Sequence, residues 1–166
     1  MIDWERLAID GFFFQGKDGG EEIEYEFKRK GTTTHLLIDG NGSPMAFKST
    51  AANGDERRQV EALLDHVEKH IGAALAEGII PIIEADKGYD TEQLRDKFLR
   101  RKIFPWIYRS KKPGKEVEKV KSILKRIRWK VERTTSWLQR KFRRLALRWE
   151  RKMRCWKGFL IFRDFL

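Results

Sequence analysis

Three acidic residues, far apart in the chain, lie where a charge needs a partner. Asp10 interrupts the apolar stretch RLAIDGFFF, where a buried strand rarely tolerates a charge. Asp86 ends the apolar run IIPIIEAD, and Glu132 is an isolated acid in a long basic segment, beside a stripe of apolar residues. Carboxylate oxygens are the ligands that hard ions such as Mg²⁺ prefer. Carboxylates that converge from separate segments could therefore hold divalent ions and support phosphoryl transfer.

Each of these acids also has an ordinary structural explanation. Asp10 could lie at a strand end or in a turn, and Asp86 could cap a helix. Glu132 follows Arg128 by four residues, so a surface ion pair on a helix explains it better when the residues are taken alone. Asp39 is a fourth candidate ligand, but its place at the start of DGNG favours a role in a turn.

Charge divides the chain into two unlike parts. Residues 1–94 contain nineteen Asp or Glu and ten Lys or Arg, whereas residues 95–166 contain six and twenty-six. A run of charges is usually a solvated face, but an excess this one-sided favours contact with a polyanion such as DNA.

Length and composition predict one domain. A chain of 166 residues with 40% apolar residues can bury one core, so residues 1–166 are interpreted as a single domain. Cys155 cannot form an internal disulfide, and neither end carries a membrane-length apolar segment. Both observations favour a cytoplasmic location without a membrane partner.

Strands dominate the predicted elements of the first part of the chain. Apolar runs predict strands at 6–14, 32–39 and 43–50, and the Asp-Gly and Asn-Gly pairs between the last two favour a hairpin turn. Helical periodicity predicts a helix over about 60–75. Short apolar runs then predict strands at 79–86 and 103–108, separated by a helix that starts near Asp90 and spans 91 to about 101.

The basic segment is predicted to be helical. Residues 115–157 contain no Gly or Pro and carry an apolar stripe at the helical period. Two helices, or a loop followed by a helix that begins near Arg128, fit this length better than one rod. DNA contacts are predicted for Arg128, Lys130, Arg133, Arg140, Lys141, Arg143, Arg144 and Arg148.

Three antiparallel strands, a helix, further strands and a carboxylate-bearing helix describe the ribonuclease H-like fold. This is an α/β fold, here with a mixed five-stranded sheet and flanking helices. Three segments resemble the catalytic part of transposases of bacterial insertion sequences, in the group numbered five: DGGEEIEYEFKRKGTTTHLLIDGNGSPMAFKSTAANGDE, EADKGYD and VERTTSWLQRKFRRLALRWER. The similarity covers nearly the whole chain from Asp10 onward.

The resemblance implies a catalytic triad of Asp10, Asp86 and Glu132 that holds two Mg²⁺ or Mn²⁺ ions and cuts and joins DNA ends. Arg128 matches an arginine of the family's glutamate motif. Three other positions depart from the family pattern. Lys125 stands where many relatives have tyrosine, Gln139 where many have lysine, and Phe12 where a small hydroxyl residue is usual; none of the three is an implied metal ligand.

The resemblance also bears on partners. Full-length relatives carry an amino-terminal DNA-binding helical region, whereas nine residues precede Asp10 here. We therefore expect either a separate polypeptide that recognises the element's ends or a truncated copy, and a homodimer on DNA is the family-level expectation. Two hypotheses follow. The chain is an active DNA strand-transferase, or it is a catalytically silent remnant that binds DNA through its basic surface.

Overall fold

The structure, a computed structural model, describes residues 2–26, 29–54, 56–107 and 127–161. Its strands are β1 Arg6–Gly16, β2 Glu24–Glu26, β3 Arg29–Asp39, β4 Pro44–Ala51, β5 Ile82–Ala85, β6 Phe104–Ile107 and β7 Leu147–Arg148. Its helices are α1 Glu56–Ala76, α2 Glu92–Arg100, α3 Arg128–Lys141, α4 Arg143–Ala146 and α5 Met153–Ile161, with a 3₁₀ turn at Lys87–Tyr89. None of the helices in these ranges is long and apolar enough to cross a membrane.

The sheet is mixed, with β1 near its centre. β1 pairs antiparallel with β3, which pairs antiparallel with β4. On its other side β1 pairs parallel with β5, which pairs parallel with β6. This order and these directions confirm the predicted ribonuclease H-like α/β fold.

The predicted count of five strands is wrong, because the sheet has seven within the described part of the chain. β2 is a three-residue strand that pairs with the edge of β3. It lies in a charged segment without an apolar pattern that would predict a strand. β7 pairs parallel with the end of β1 and interrupts the segment that helical periodicity assigns to a helix. Its two residues are too few to produce a sequence signal.

Alternate residues of β1 face two different helical layers. Leu7 and Ile9 pack in the cluster formed with α1 and α2, while Ala8 and Phe14 pack with α3 and α5. Because side chains alternate across a strand, Asp10 belongs to the α3 side. The central strand therefore presents its carboxylate to the helix that carries Glu132.

The helices largely follow their predicted positions. α1 contains the predicted 60–75 segment, and α3 begins at Arg128, as one of the two alternatives had it. The predicted start of α2 at Asp90 is wrong by one residue, because Thr91 Oγ1 accepts from the Leu94 N–H at 3.2 Å. Phe142 leaves helical geometry with φ −112° and ψ 99°, which ends α3. The predictions for 108–126 lie outside the described residues.

Candidate active site

One arginine contacts all three predicted carboxylates. Arg128 lies 3.1 Å from Asp86 Oδ1, 3.7 Å from Asp10 Oδ2 and 3.6 Å from Glu132 Oε1. The last two oxygens approach the same guanidinium nitrogen, so they are at most about 7 Å apart, within the reach of a site whose two ions are themselves roughly 4 Å apart. Folding therefore brings together side chains that are 46 or more positions apart in sequence.

Three different elements supply these side chains. Asp10 lies in the middle of β1, opposite Leu36 of β3, and Asp86 follows the last residue of β5. Glu132 and Arg128 lie one turn apart at the start of α3. The Asp10 side chain is 22% exposed, against 50% for Asp86 and 59% for Glu132. Asp10 is thus the most buried carboxylate of the cluster.

Burial perturbs the ionisation of Asp10. Burial raises the pKa of its carboxyl, since a charge is less stable away from water. The Arg128 guanidinium and the Gly11 N–H, which donates to Oδ1 at 3.0 Å, pull the pKa down. The nearby charges of Asp86 and Glu132 push it up again. Negative charge is therefore crowded around Asp10 and favours a cation there.

Asp86 and Glu132 also make the structural contacts considered above as alternatives, a helix cap and an i−4 ion pair. Asp86 Oδ1 accepts from the Lys87 N–H at 2.7 Å and caps the 3₁₀ turn, and Glu132 pairs with Arg128 at i−4. Among the described residues, no group of three or more His, Cys, Asp or Glu is arranged to hold a metal ion. Carboxylates that surround a guanidinium at 3.1–3.7 Å stand farther out than the roughly 2.1 Å at which oxygens ligate Mg²⁺.

The donor set nevertheless fits a hard divalent ion. All three side chains offer carboxylate oxygens, two of them are half-exposed, and they already converge on a cationic group. An ion could take the place of the guanidinium if Arg128 turned outward, and the Arg128 side chain is 31% exposed. Asp10, Asp86 and Glu132 are thus the residues that would hold it.

The β3–β4 turn holds α3 against the sheet. Lys130 donates to Gly40 O, and Thr134 Oγ1 donates to Gly42 O at 2.9 Å. Gly42 has φ +93°, a conformation that favours glycine. Asp39 is fully buried and accepts from the N–H groups of Asp3, Asn41 and Ser43, as the turn explanation predicts. Asp39 therefore builds this turn rather than the carboxylate cluster.

Seven of the eight predicted DNA contacts fall into three groups. Arg133, Arg140 and Lys141 are exposed on α3, and the Arg133 guanidinium lies over the Trp129 ring at 4.9 Å. Arg128 and Lys130 are partly buried by the contacts given above. The side chains of Arg143 and Arg144 lie outside the described residues, so their contacts stay predictions.

The prediction of a DNA contact for Arg148 is wrong for this structure. Its side chain is 0% exposed and donates to Glu21 O at 2.8 Å, to Glu150 O at 3.0 Å and to Thr32 Oγ1. A guanidinium held in this way joins the end of the sheet to the segment before α5 and has no face left for a phosphate. Nothing in the local sequence distinguishes it from the exposed arginines nearby.

A buried carboxylate beside the cluster escaped the sequence analysis. Glu84 lies on β5, two residues before Asp86, and is 3% exposed. It accepts from the N–H groups of Ile127 and Arg128 at the start of α3. The apolar run IIPIIEAD contained the one available signal, since a charge inside a buried strand requires a partner.

An α/β domain that gathers three carboxylates at one side of its sheet has the arrangement used for metal-dependent phosphoryl transfer. The chain belongs to the family described as "Transposase DDE domain", whose profile matches residues 4–159. Members of this family are, in general, metal-dependent nucleases and strand-transferases. This family and the insertion-sequence relative described next confirm the expected resemblance to insertion-sequence transposases.

Comparison with individual proteins agrees with this family. The chain is 35% identical over 133 residues to the "Putative transposase for insertion sequence element IS402" of Burkholderia cepacia. The match covers 80% of this chain and 60% of that relative, so the chain spans about 60% of its length. Two transposase structures are also similar, each with a TM-score of 0.46. The first is a piggyBac synaptic complex with hairpin DNA, at 16% identity, where the match covers 68% of this chain and 24% of that one. The second is the Mos1 mariner catalytic domain, at 8% identity, where the match covers 61% of this chain and 48% of that one. The family assignment rests on the sequence matches.

Proposed function

We propose that this chain is the catalytic domain of a DNA transposase that cuts and joins the ends of an insertion sequence. The observation that carries the proposal is the convergence of Asp10, Asp86 and Glu132 on one guanidinium, in a chain of the DDE family. Because the chain spans about 60% of its curated relative, the activity of a whole transposase is part of the proposal.

The three carboxylates are proposed to hold two divalent ions, Mg²⁺ or Mn²⁺. Such ions, when bound, supply an activated hydroxyl nucleophile and stabilise charge on the leaving oxygen. Asp10 is the least exposed of the proposed ligands, so it would hold an ion on its more buried side. Asp86 and Glu132 face it from a loop and a helix, so their spacing depends on how α3 is docked against β5.

Arg128 is proposed to leave the carboxylates and bind the scissile phosphate when ions and DNA bind. Its guanidinium now neutralises the carboxylates, and its planar fork also suits the oxygens of a phosphate. Once ions neutralise the carboxylates, the same side chain is released to orient the scissile phosphate. Lys130, Arg133, Arg140 and Lys141 extend the positive charge along α3 for the flanking backbone, which gives affinity without base recognition.

We propose that residues outside this chain recognise the sequence of the element's ends. Phosphate contacts carry no sequence information, so a separate amino-terminal DNA-binding polypeptide or a further part of a longer protein is the proposed reader. A homodimer would hold two DNA ends together. The proposed setting is the bacterial cytoplasm, on the nucleoid.

Strand cleavage tests the proposal. The protein is incubated with Mn²⁺ and an end-labelled DNA duplex, beside Asp10→Asn, Asp86→Asn and the exposed α2 control Asp96→Asn. We expect cleavage by the wild type and the control, and a loss by a factor on the order of 10³ in the two site variants. Full cleavage by both site variants would refute the proposed site. A wild type that binds DNA but never cleaves it would instead support the silent remnant.

A further inference from the structure

Glu84 is a buried carboxylate that belongs to none of the roles assigned so far. It lies on β5 with 3% of its surface exposed, directly beside the N-terminus of α3. Its two carboxylate oxygens each lie 3.1 Å from the Ile127 nitrogen, and Oε2 also accepts from the Arg128 N–H at 3.2 Å. A buried charge is costly unless such donors surround it, so these contacts are what keep it there.

Among the residues that the structure describes, none close in sequence caps the start of α3. Ile127 precedes the first helical residue and its apolar side chain makes no capping hydrogen bond. The first N–H groups of a helix have no partner within the helix and carry partial positive charge. Glu84 accepts from two N–H groups at this terminus, so a residue of a distant strand acts as a cap for α3.

Glu84 also binds the strand that carries Asp10. Arg6 of β1 forms an ion pair with Glu84 Oε1, and the Arg6 guanidinium lies over the Trp106 ring at 5.1 Å. β1, β5 and α3 are the three elements that lead to Asp10, Asp86 and Glu132. One buried carboxylate therefore connects all three of them, within a few residues of each candidate ligand.

We propose that Glu84 is a positioning residue that fixes the start of α3 against β1 and β5 and so sets the spacing of the carboxylate cluster. It acts through Arg128 and Glu132 and contacts neither DNA nor ion. The consequence for ion binding rests on the function proposed above, whereas the docking of α3 does not. Loss of Glu84 should thus loosen the first turn of α3 and weaken ion binding together.

The test compares Glu84→Gln with Asp90→Asn. Glu84→Gln keeps the length of the side chain but removes the charge that faces the helix terminus. Asp90→Asn removes the charge of a mostly buried carboxylate, 11% exposed, from its ion pair with Arg95, 2.8 Å away beside α2. Amide hydrogen exchange at Ile127 and Arg128 reports the docking, and Mn²⁺ titration reports the site.

We expect Glu84→Gln to accelerate exchange at both amides and to weaken Mn²⁺ binding by about tenfold, the loss typical when a partner that orients metal ligands is removed. Asp90→Asn should change stability but leave both readouts within about twofold, well below that loss. If Glu84→Gln folds poorly, Glu84→Asp keeps the charge one methylene short of the helix, and the same two changes are expected.

Two results would overturn the inference. Unchanged exchange at Ile127 and Arg128 in a folded Glu84 variant would show that the carboxylate does not dock α3. Faster exchange with unaltered Mn²⁺ affinity would show that docking does not set the site. A wild type that binds no Mn²⁺ would contradict the proposed function, and amide exchange would then decide the docking by itself.

Discussion

Arg128 donates a hydrogen bond to Asp86 Oδ1 at 3.1 Å, although 42 residues separate the two in the chain. The same guanidinium lies within 3.7 Å of Asp10 and Glu132. One cation thus offsets the mutual repulsion of three carboxylates. Divalent ions that bind these oxygens must displace the guanidinium, so Arg128 and the ions compete for the same carboxylate oxygens.

Arg128→Met tests this competition. The variant keeps most of the apolar stem and removes the charge, so without divalent ions it should be less stable by roughly 1 kcal/mol. Mg²⁺ should then stabilise the variant more than the wild type, because no cation has to leave. Thermal unfolding in chelator and in Mg²⁺ measures both effects. Arg95→Met, which breaks the ion pair with Asp90, should show the destabilisation without the larger Mg²⁺ response.

Asp10→Asn should stabilise the protein at neutral pH when divalent ions are absent. Burial raises the pKa of Asp10, so the folded state keeps a proton that the unfolded state has released. The free energy of unfolding therefore falls as pH rises from the ordinary Asp pKa through the raised pKa of Asp10. Asn at this position does not titrate, so the variant does not show this fall. Urea unfolding between pH 4 and pH 7 in chelator measures the difference against the exposed control Asp96→Asn. A variant that is less stable than wild type at pH 7 would count against a strained carboxylate.

His35 should make the protein sensitive to acid. It is fully buried in β3, with Nε2 3.4 Å from Thr50 Oγ1, and burial lowers its pKa to about 4. Between the ordinary His pKa of about 6.5 and this value, only the unfolded state takes up the proton, so stability falls as pH decreases. The loss should reach about 2 kcal/mol between pH 7 and pH 5.

The control for this prediction is a second histidine. Urea unfolding of His35→Asn should show a shallower fall in stability between pH 7 and pH 5, whereas His66→Asn, exposed on α1, should follow the wild type. Equal slopes in wild type and His35→Asn would show that His35 is not the group responsible.

Arg133 should contribute to DNA binding as a phosphate contact. It is exposed on α3 over the Trp129 ring, on the layer of the sheet that also holds the carboxylate cluster. Arg133→Ala should reduce the slope of log affinity against log salt by about 1, equally for unrelated DNA sequences. Arg100→Ala, exposed on α2 across the sheet, serves as the control and should leave the slope unchanged. A sequence-dependent loss in Arg133→Ala would indicate base contact instead.

Local sequence patterns were sufficient to predict most of the strands and helices. The DGNG turn, the apolar run before Asp86 and the helical periodicity over 60–75 each depend on neighbours in sequence, and each lies where its pattern indicates. The start of α3 at Arg128 was one of two predicted alternatives. Family resemblance selected the three carboxylates, since the residues alone favoured a surface pair for Glu132.

Tertiary partners explain what local patterns missed. Glu84 and Arg148 resemble surface charges until their hydrogen-bond partners are known. Ile127, which donates to Glu84, and Thr32 and Glu21, which accept from Arg148, all lie more than 40 positions away. β7 arises because the end of β1 offers an unpaired edge, which overrides helix propensity over two residues.

The central claim is that Asp10, Asp86 and Glu132 form one site for divalent ions. Calorimetric titration with Mn²⁺ measures it most directly, on wild type, Asp10→Asn, Asp86→Asn, Glu132→Gln and the control Glu61→Gln. Glu61 is matched to Glu132, because it is a partly exposed helical glutamate paired with Lys97 at 2.9 Å. We predict that each site variant loses Mn²⁺ binding while Glu61→Gln retains it. Undiminished Mn²⁺ binding in Glu132→Gln would contradict the account.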